Sequence, residues 1–250
     1  MPVTCDQLPE KDWELATGDW KLIMLLAIDT ATQMMSLALH NGRELLAEQT
    51  WRGSENPTQE LAPAVQGLLE RCGVTMNQLS ALAVSTGPGT YADLRAGIAL
   101  AKGLATSRGL PLVGVTSLDT IALGQPYYQG GLIIVVGVGR GRIAVGRYQW
   151  KKGRWGSRGD SQLMTWDNLL SSIDGNAYLS GEIDEEGQDA LKSAQANDVP
   201  ITLIAPAYRL RRAGFLAEEA WTQLNNGKSA DFAAAKLLPV ELKMADVPTS

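Results

Sequence analysis

The segment Ala27-Ile28-Asp29-Thr30-Ala31-Thr32 sets one carboxylate and two hydroxyls at the end of an apolar run, Leu25–Asp29. At a strand end, an acid and hydroxyls can approach the phosphates of a nucleotide and the metal that travels with them. Asp29, Thr30 and Thr32 are therefore candidate nucleotide-binding residues. The same side chains can instead close a turn by bonding local backbone N–H groups. A second segment, Thr86-Gly87-Pro88-Gly89-Thr90-Tyr91-Ala92-Asp93, joins a predicted strand to a predicted helix. Glycine turns at helix starts often cradle phosphates, because unpaired N–H groups and the positive end of the helix dipole meet the anion. Here Thr90, with Asp93 three residues on, makes an acidic capping box whose side chains would use those N–H groups themselves. Asp93 would also repel a phosphate. The segment reads as a rigid turn satisfied by its own side chains.

A third cluster is basic. Arg140, Arg142, Arg147, Lys151, Lys152, Arg154 and Arg158 occur with no acid between residues 139 and 159, and Tyr148, Trp150 and Trp155 are interleaved. Aromatic rings among cations suit stacked bases, so Arg140, Lys151, Lys152 and Arg154 form a candidate nucleic-acid-facing patch. The alternative is a solvated strand pair with a charged turn at Lys151–Gly153.

Other chemistries are excluded by counting. The chain of 250 residues has one histidine, His40, and two cysteines, Cys5 and Cys72. Multi-histidine metal sites and HExxH proteases need more histidines than that. A Ser-His-Asp triad would have to use His40, which reads as a strand-end residue beside a turn. Cys72 falls on an apolar helical stripe and reads as core. No disulfide framework, metal site or cofactor is expected, and the cytoplasm is the default location. Lys and Arg number 22 against 27 Asp and Glu, a net charge of −5. A protein whose main task was gripping a phosphate backbone would be basic, so contact with nucleic acid must be local or shared with a partner. Leu22–Ile28 and Leu132–Val138 are too short to span a bilayer. Asp6, Glu10, Asp12, Glu14 and Asp19 make the first twenty residues unlike a signal peptide.

The elements that must position these residues follow from periodicity. Leu25–Asp29, Met34–His40 and Glu44–Trp51 read as an antiparallel meander, with Asn41-Gly42 predicting a type I′ hairpin turn. Asn56-Pro57 reads as a helix start, with Leu61, Val65, Leu68, Leu69 and Cys72 as one stripe. Pro63 must kink that helix, or its regular part begins later than Pro57. Ala81–Ser85 is a strand, Thr90–Arg108 a helix, Leu112–Val115 a strand and Ser117–Ala122 a short helix. After a boundary in Gln125–Gly131 come strands at Leu132–Val138, Arg142–Trp150, Ala177–Ser180 and Ile201–Ile204. Helices at Trp166–Ser171, Glu185–Ala196 and Ala207–Asn225 alternate with them, the last with Leu210, Ala213, Ala217, Ala220, Trp221 and Leu224 on one face. Leu238–Leu242 reads as a last strand. Strands and helices alternating in two halves predict an α/β fold of two related subdomains.

The helix after the glycine turn carries only Arg95 and Lys102 as charges between Leu94 and Ala105. A helix apolar nearly all round must be covered nearly all round. Gly97, Ala101 and Ala105 form a ridge of small residues that permits close approach of another helix. The uncovered side is expected to meet either the Leu61–Cys72 helix alone or another chain. On the second reading Leu61, Val65, Leu68, Leu94, Gly97, Ile98, Ala101 and Ala105 are the partner interface.

Taken in order, these segments resemble the TsaB (YeaZ) family. Leu26-Ala27-Ile28-Asp29-Thr30-Ala31-Thr32 is similar to the opening of its members. Gly87-Pro88-Gly89-Thr90-Tyr91 and Leu94-Arg95-Ala96-Gly97-Ile98-Ala99 resemble their Gly-Pro-Gly-Ser-Phe-Thr-Gly-x-Arg-x-Gly signature. Ala101-Lys102-Gly103-Leu104-Ala105 and Pro111-Leu112-Val113-Gly114-Val115-Thr116-Ser117-Leu118 continue it, and Pro239-Val240-Glu241-Leu242-Lys243 is similar to a closing Pro-Val-Tyr-Leu-Arg. The match runs from Leu25 to Lys243 and is strongest up to Leu118.

The resemblance implies the actin-like ATPase (ASKHA, ribonuclease H-like) fold. It also implies a non-catalytic scaffold role in making threonylcarbamoyladenosine beside the tRNA anticodon. The implied partners are a TsaD-like catalytic subunit, a TsaE-like ATPase, and tRNA through the complex, with a homodimer as the other arrangement. TsaD holds its metal through a His-x-x-x-His motif, which a chain with one histidine cannot carry. An active ATPase or kinase of the same fold is the alternative, but Leu132–Gly141 supplies glycines without the acid of a second phosphate loop. Four departures stand out: Ala92-Asp93 for the usual Thr-Gly, Asn56-Pro57 where many members have a histidine, Val138-Gly139-Arg140 for Asp-Ala-Arg, and residues 1–23, which have no family counterpart. The expected organisation is an N-terminal extension at 1–23, dispensable for the fold, then subdomains at 24–125 and 126–250.

Overall fold

Strand β1 (Met24–Asp29) is apolar from Leu25 to Ile28 because both of its faces are covered. The computed structural model describes residues 24–54, 57–226, 239, 240 and 242. The expected extension at 1–23, the capping residue Asn56 and most of the expected strand Leu238–Leu242 lie outside the described residues. β1 is central in a five-stranded sheet with β2 (Met34–His40), β3 (Leu45–Arg52), β4 (Leu79–Ser85) and β5 (Leu112–Val115). The order is β3-β2-β1-β4-β5, with β1, β2 and β3 antiparallel and β4 and β5 parallel to β1.

Alternation along β1 divides the core in two. Leu26 and Ile28 face helices α1 (Pro57–Arg71) and α2 (Tyr91–Arg108), packing with Leu61, Val65, Leu68, Ile98, Ala101 and Ala105. Leu25 and Ala27 face the opposite way, against helix α6 (Ala213–Asn225). On that face Ala27, Ala38, Ala81 and Ala83 meet Ala213, Ala217 and Ala220, and such small side chains let the helix approach the sheet closely.

The second sheet repeats the plan of the first. It contains β6 (Gly131–Gly139), β7 (Arg142–Lys151), β8 (Arg154–Ser157), β10 (Ala177–Gly181) and β11 (Ile201–Leu203), in the order β11-β10-β6-β7-β8, with β9 (Gln162–Met164) also on β7. β6, β7 and β8 are antiparallel, and β10 and β11 run parallel to β6, as β4 and β5 do to β1. Two copies of one mixed sheet give the expected α/β architecture of two related subdomains.

The helices are exchanged between the sheets. Helix α3 (Ser117–Leu123) follows the first sheet in sequence but buries Leu118, Ile121 and Ala122 against Leu132, Ile134, Val136 and Trp155 of the second. Helix α6 follows the second sheet but covers the first. Helices α4 (Trp166–Ser171) and α5 (Glu185–Ala196) close the remaining face of the second sheet through Trp166, Leu169 and Leu191.

Several local expectations are corrected. The β2–β3 hairpin forms, but its turn is not type I′. Gly42 has φ 88° while Asn41 is not among the residues at positive φ, and the Asn41 side chain accepts from the N–H groups of Arg43 and Glu44, both at 2.9 Å. An Asx turn has replaced the backbone twist. Helix α1 continues through Pro63. Helix α6 begins at Ala213 rather than Ala207, because Pro206–Tyr208 makes a separate 3₁₀ turn, so Leu210 is exposed instead of joining the core stripe. Val240 donates its N–H to the Thr86 carbonyl at 2.8 Å, which holds the described C-terminal residues against the glycine turn.

One glycine substitution made at two places should have opposite signs. A Cβ on Gly89 would stand 2.0 Å from the Ala31 carbonyl oxygen, whereas one on Gly103 in α2 meets nothing within 4 Å. Gly89→Ala is expected to cost about 1–3 kcal/mol by overpacking backbone on backbone. Gly103→Ala is expected to stabilise by about 0.5–1 kcal/mol through helix propensity. Urea denaturation of the two variants against the parent checks both.

Candidate functional site

Asp29 ends β1 with no solvent exposure, and both of its oxygens are already used. Oδ1 accepts from the Ala31 N–H at 3.0 Å, and Oδ2 accepts from Arg211 Nε at 2.7 Å. Arg211 lies just before α6 and is 2% exposed. Its Nη1 donates to Glu182 Oε1 at 2.8 Å, and its Nη2 donates to Thr32 Oγ1 at 3.1 Å and to the Met34 carbonyl at 2.7 Å. Thr32 passes its own hydroxyl proton to Glu182 Oε1 at 2.5 Å. Glu182 belongs to the second sheet, since its N–H donates to the Val135 carbonyl of β6 at 2.9 Å. One guanidinium thus joins the end of β1, the end of β10 and the start of α6. Burial works against the charge of Arg211, but Asp29 and then Glu182 outweigh it and hold the group above its ordinary pKa.

The chemistry open to Asp29 follows from these partners. A carboxylate at this position could hold a metal bearing phosphates only if its oxygens faced an open cleft. Here a fixed cation stands on Oδ2, and a backbone amide on Oδ1. Thr30 is also engaged, donating to the Asp93 carbonyl at 2.8 Å. Its hydroxyl presses on α2 where Gly97 leaves room, since a Cβ there would approach it to 2.2 Å. The structure therefore brings Asp29, Thr30 and Thr32 together, with each satisfied from within. No group of three or more metal-ligating side chains occurs among the described residues.

The glycine turn is closed in the same manner. Thr90 donates its N–H to the Ala31 carbonyl at 2.7 Å, and the Gly87 carbonyl accepts from Ser117 N–H at 2.8 Å. The Gly87–Pro88 peptide is cis. The turn is rigid, as expected, but the capping box is not its cause. Thr90 occupies the N-cap without a side-chain cap hydrogen bond. Burial pushes the Asp93 carboxyl upward, and a hydrogen bond from the Thr90 side chain partly opposes that. The fixing contact is the β1–β2 turn, which the sequence does not pair with this loop.

The other expected site residues are placed as follows. Leu61, Val65 and Leu68 of α1, and Leu94, Gly97, Ile98, Ala101 and Ala105 of α2, are all buried in the chain's own core. The Gly97-Ala101-Ala105 ridge faces the sheet, so the exposed side of these helices is made by other residues. The outward face of α2 carries a second small-residue stripe, with Ala92, Ala99 and Gly103 exposed and Ala96 half-buried. Between it and α1 runs an apolar groove floored by Leu61 and Leu100. The basic patch is divided. Arg140 lies in the β6–β7 turn, whereas Lys151, Lys152 and Arg154 lie at the far end of β7, whose ten residues span roughly 30 Å. Arg154 is paired with Glu219 at 3.0 Å. His40 is a buried strand-end residue whose Nδ1 accepts from Gly42 N–H at 3.0 Å, with Glu218 3.3 Å from Nε2.

Sequence reasoning missed Arg211 and Glu182. Arg211 sits in a segment read as the polar side of a helix, 182 residues from Asp29, and no local spacing signals such a pair. Removing the arginine would leave Asp29 charged and buried without its partner, so Arg211→Ala is expected to cost about 3–5 kcal/mol. The double variant Asp29→Ala/Arg211→Met, which removes both charges, is expected to recover most of that loss. Urea denaturation of the three proteins checks this. A single-variant loss below about 1 kcal/mol would contradict the central place given to this ion pair.

Comparison with known proteins agrees with this architecture. The family model for TsaD, tRNA N6-adenosine threonylcarbamoyltransferase, matches residues 52–199, more than half of the chain. TsaB of Bacillus subtilis, a tRNA threonylcarbamoyladenosine biosynthesis protein, is 35% identical over 129 residues, covering 52% of this chain and 56% of that protein. TsaB of Escherichia coli is 41% identical over 100 residues, covering 40% and 43%. The chain spans about half the length of the curated relatives it matches. Among solved structures, YeaZ from Pseudomonas aeruginosa superposes with a TM-score of 0.71 at 23% identity, over 88% of this chain and all of that one, which shows a common fold. A match to the threonylcarbamoyltransferase model over residues 52–199, together with relatives named TsaB, places the chain in the TsaB (YeaZ) family.

Proposed function

We propose that this chain is a non-catalytic subunit of the cytoplasmic machinery that forms threonylcarbamoyladenosine in tRNA, and that it binds and stabilises a TsaD-like catalytic subunit. The observation that carries this reading is the occupation of the candidate phosphate site by Arg211. The fold keeps the architecture of an actin-like ATPase while its acid is neutralised by a side chain of the same molecule. What remains to offer is surface. The relatives named TsaB supply the process, and the single histidine argues against the catalytic role, because a His-x-x-x-His site needs two. A TsaE-like ATPase would join the assembled pair, and tRNA would be met through the complex.

The partner face is the outer side of α1 and α2. The Ala92-Ala99-Gly103 stripe lets a partner helix approach closely, and the groove floored by Leu61 and Leu100 offers apolar surface to cover. Arg95, held over the Tyr91 ring at 5.5 Å, sets a charge at its rim. A helix pair from each chain would make a four-helix contact, with TsaD-like or identical partners as the two arrangements.

Two outcomes are expected. The isolated protein should not hydrolyse ATP above the buffer rate; turnover abolished by Asp29→Ala would favour an active ATPase or kinase instead. Ala99→Trp, on the exposed stripe, should melt near the parent yet weaken the partner complex about 10- to 100-fold by overpacking the contact. Calorimetric melting and co-elution with the TsaD-like subunit measure this. Retained binding by a folded Ala99→Trp protein would move the interface off these helices.

A further inference from the structure

We propose that the aromatic and basic end of the second subdomain is a docking surface for unpaired bases of RNA. The inference rests on the tRNA reading above and adds a place of contact to it. The surface forms where the β7–β8 turn meets the loop after α3. Five rings run from solvent into the core. Tyr127 lies 5.4 Å from Trp150, and Trp150 meets Trp155 edge-on at 5.3 Å. Trp155 lies 6.4 Å from Tyr128, which stacks on Tyr178 at 4.6 Å. The inner rings are fixed. Trp155 is 2% exposed and donates its indole N–H to the Pro126 carbonyl at 2.9 Å, which ties the loop to β8. The outer rings are open, with Tyr127 60% and Trp150 37% exposed. Tyr208, 54% exposed, is brought alongside by Gln125, whose amide donates to the Tyr208 carbonyl at 2.6 Å.

Charge identifies the ligand class. Lys151 and Lys152 are exposed in the turn that follows Trp150. Arg154 adds a guanidinium whose Nη2 is paired with Glu219 at 3.0 Å. Beside Tyr208, the buried Nε of Arg209 finds no hydrogen-bond partner among the described residues. Open rings held rigidly beside cations, in a protein of net charge −5, make a local acceptor for bases and their phosphates rather than a general polyanion surface. Arg140, at the other end of β7, takes no part.

The test uses the full chain, free and co-purified with its TsaD-like subunit. The probes are a stem-loop RNA with an unpaired loop and a blunt RNA duplex of equal length. The stem-loop should quench tryptophan fluorescence and bind more tightly than the duplex. Trp150→Ala and Tyr127→Ala should each weaken stem-loop binding about tenfold, and Trp150→Ala should remove the quench. Reversal of Lys151 and Lys152 to Glu should flatten the salt dependence. Both ring positions are exposed, so melting temperatures near the parent are expected and are measured alongside. Equal binding of duplex and stem-loop, unchanged in the ring variants, would overturn the proposal. So would loss of the TsaD-like subunit from Trp150→Ala with RNA binding intact, which would make the patch a protein interface. Failure of the parent chain to co-elute with that subunit would sink the scaffold reading instead, and the free chain's RNA binding would still be read independently.

Discussion

A single buried guanidinium decides what this molecule can be. Arg211 is out of water, and that loss is offset only because its donors meet Asp29, Glu182, Thr32 and the Met34 carbonyl together. The acceptors come from two sheets and from the turn after β1, so the network fixes the angle at which the subdomains meet. The charge balance that would attract a metal and phosphates is met within the chain.

The closure is reinforced from below. The β1–β2 turn and the glycine turn before α2 are separate in sequence, yet the Ala31 carbonyl accepts from Thr90 and the Thr30 hydroxyl reaches the Asp93 carbonyl. Gly89 is required because no side chain fits between the two turns, and Gly97 leaves room on α2 for the Thr30 side chain. The N-terminus of α2 is thus held by neighbours, and its exposed stripe sits on a rigid base. A rigid helix loses little conformational freedom on meeting a partner, which favours its use as an interface.

Much of this was legible in the residues, and the exceptions share a cause. Strands β1 to β5 follow from apolar runs and turn residues, and Asp29 is conspicuous because it ends a strand with threonines behind it. Helix α2 was expected to need cover on nearly every side; the sheet and α1 cover one side, and Ala92, Ala99 and Gly103 stay exposed on the other. Which stripe faced inward could not be read, because Gly97-Ala101-Ala105 and Ala92-Ala99-Gly103 are equally small and uncharged. Only the sheet's position separates them. Arg211 looked like the polar side of a helix whose true start is two residues later. Its partners are remote in sequence, and periodicity carries only local information. The basic stretch is divided for a geometric reason: β7 is long enough to put Arg140 and Lys151 at opposite ends of a sheet.

The exchange of α3 and α6 between the two sheets has a consequence for synthesis. During translation the first sheet is complete once β5 has left the ribosome, but the helix that seals its alanine-lined face begins about a hundred residues later. At roughly 5–20 residues per second, that face stays uncovered for about 5–20 s. Meanwhile α3 waits for a sheet not yet made. Neither half buries both faces of its sheet without a helix from the other. A nascent chain stalled before Ala213 would carry an open apolar sheet, the form in which this protein is most exposed to aggregation and to chaperone capture.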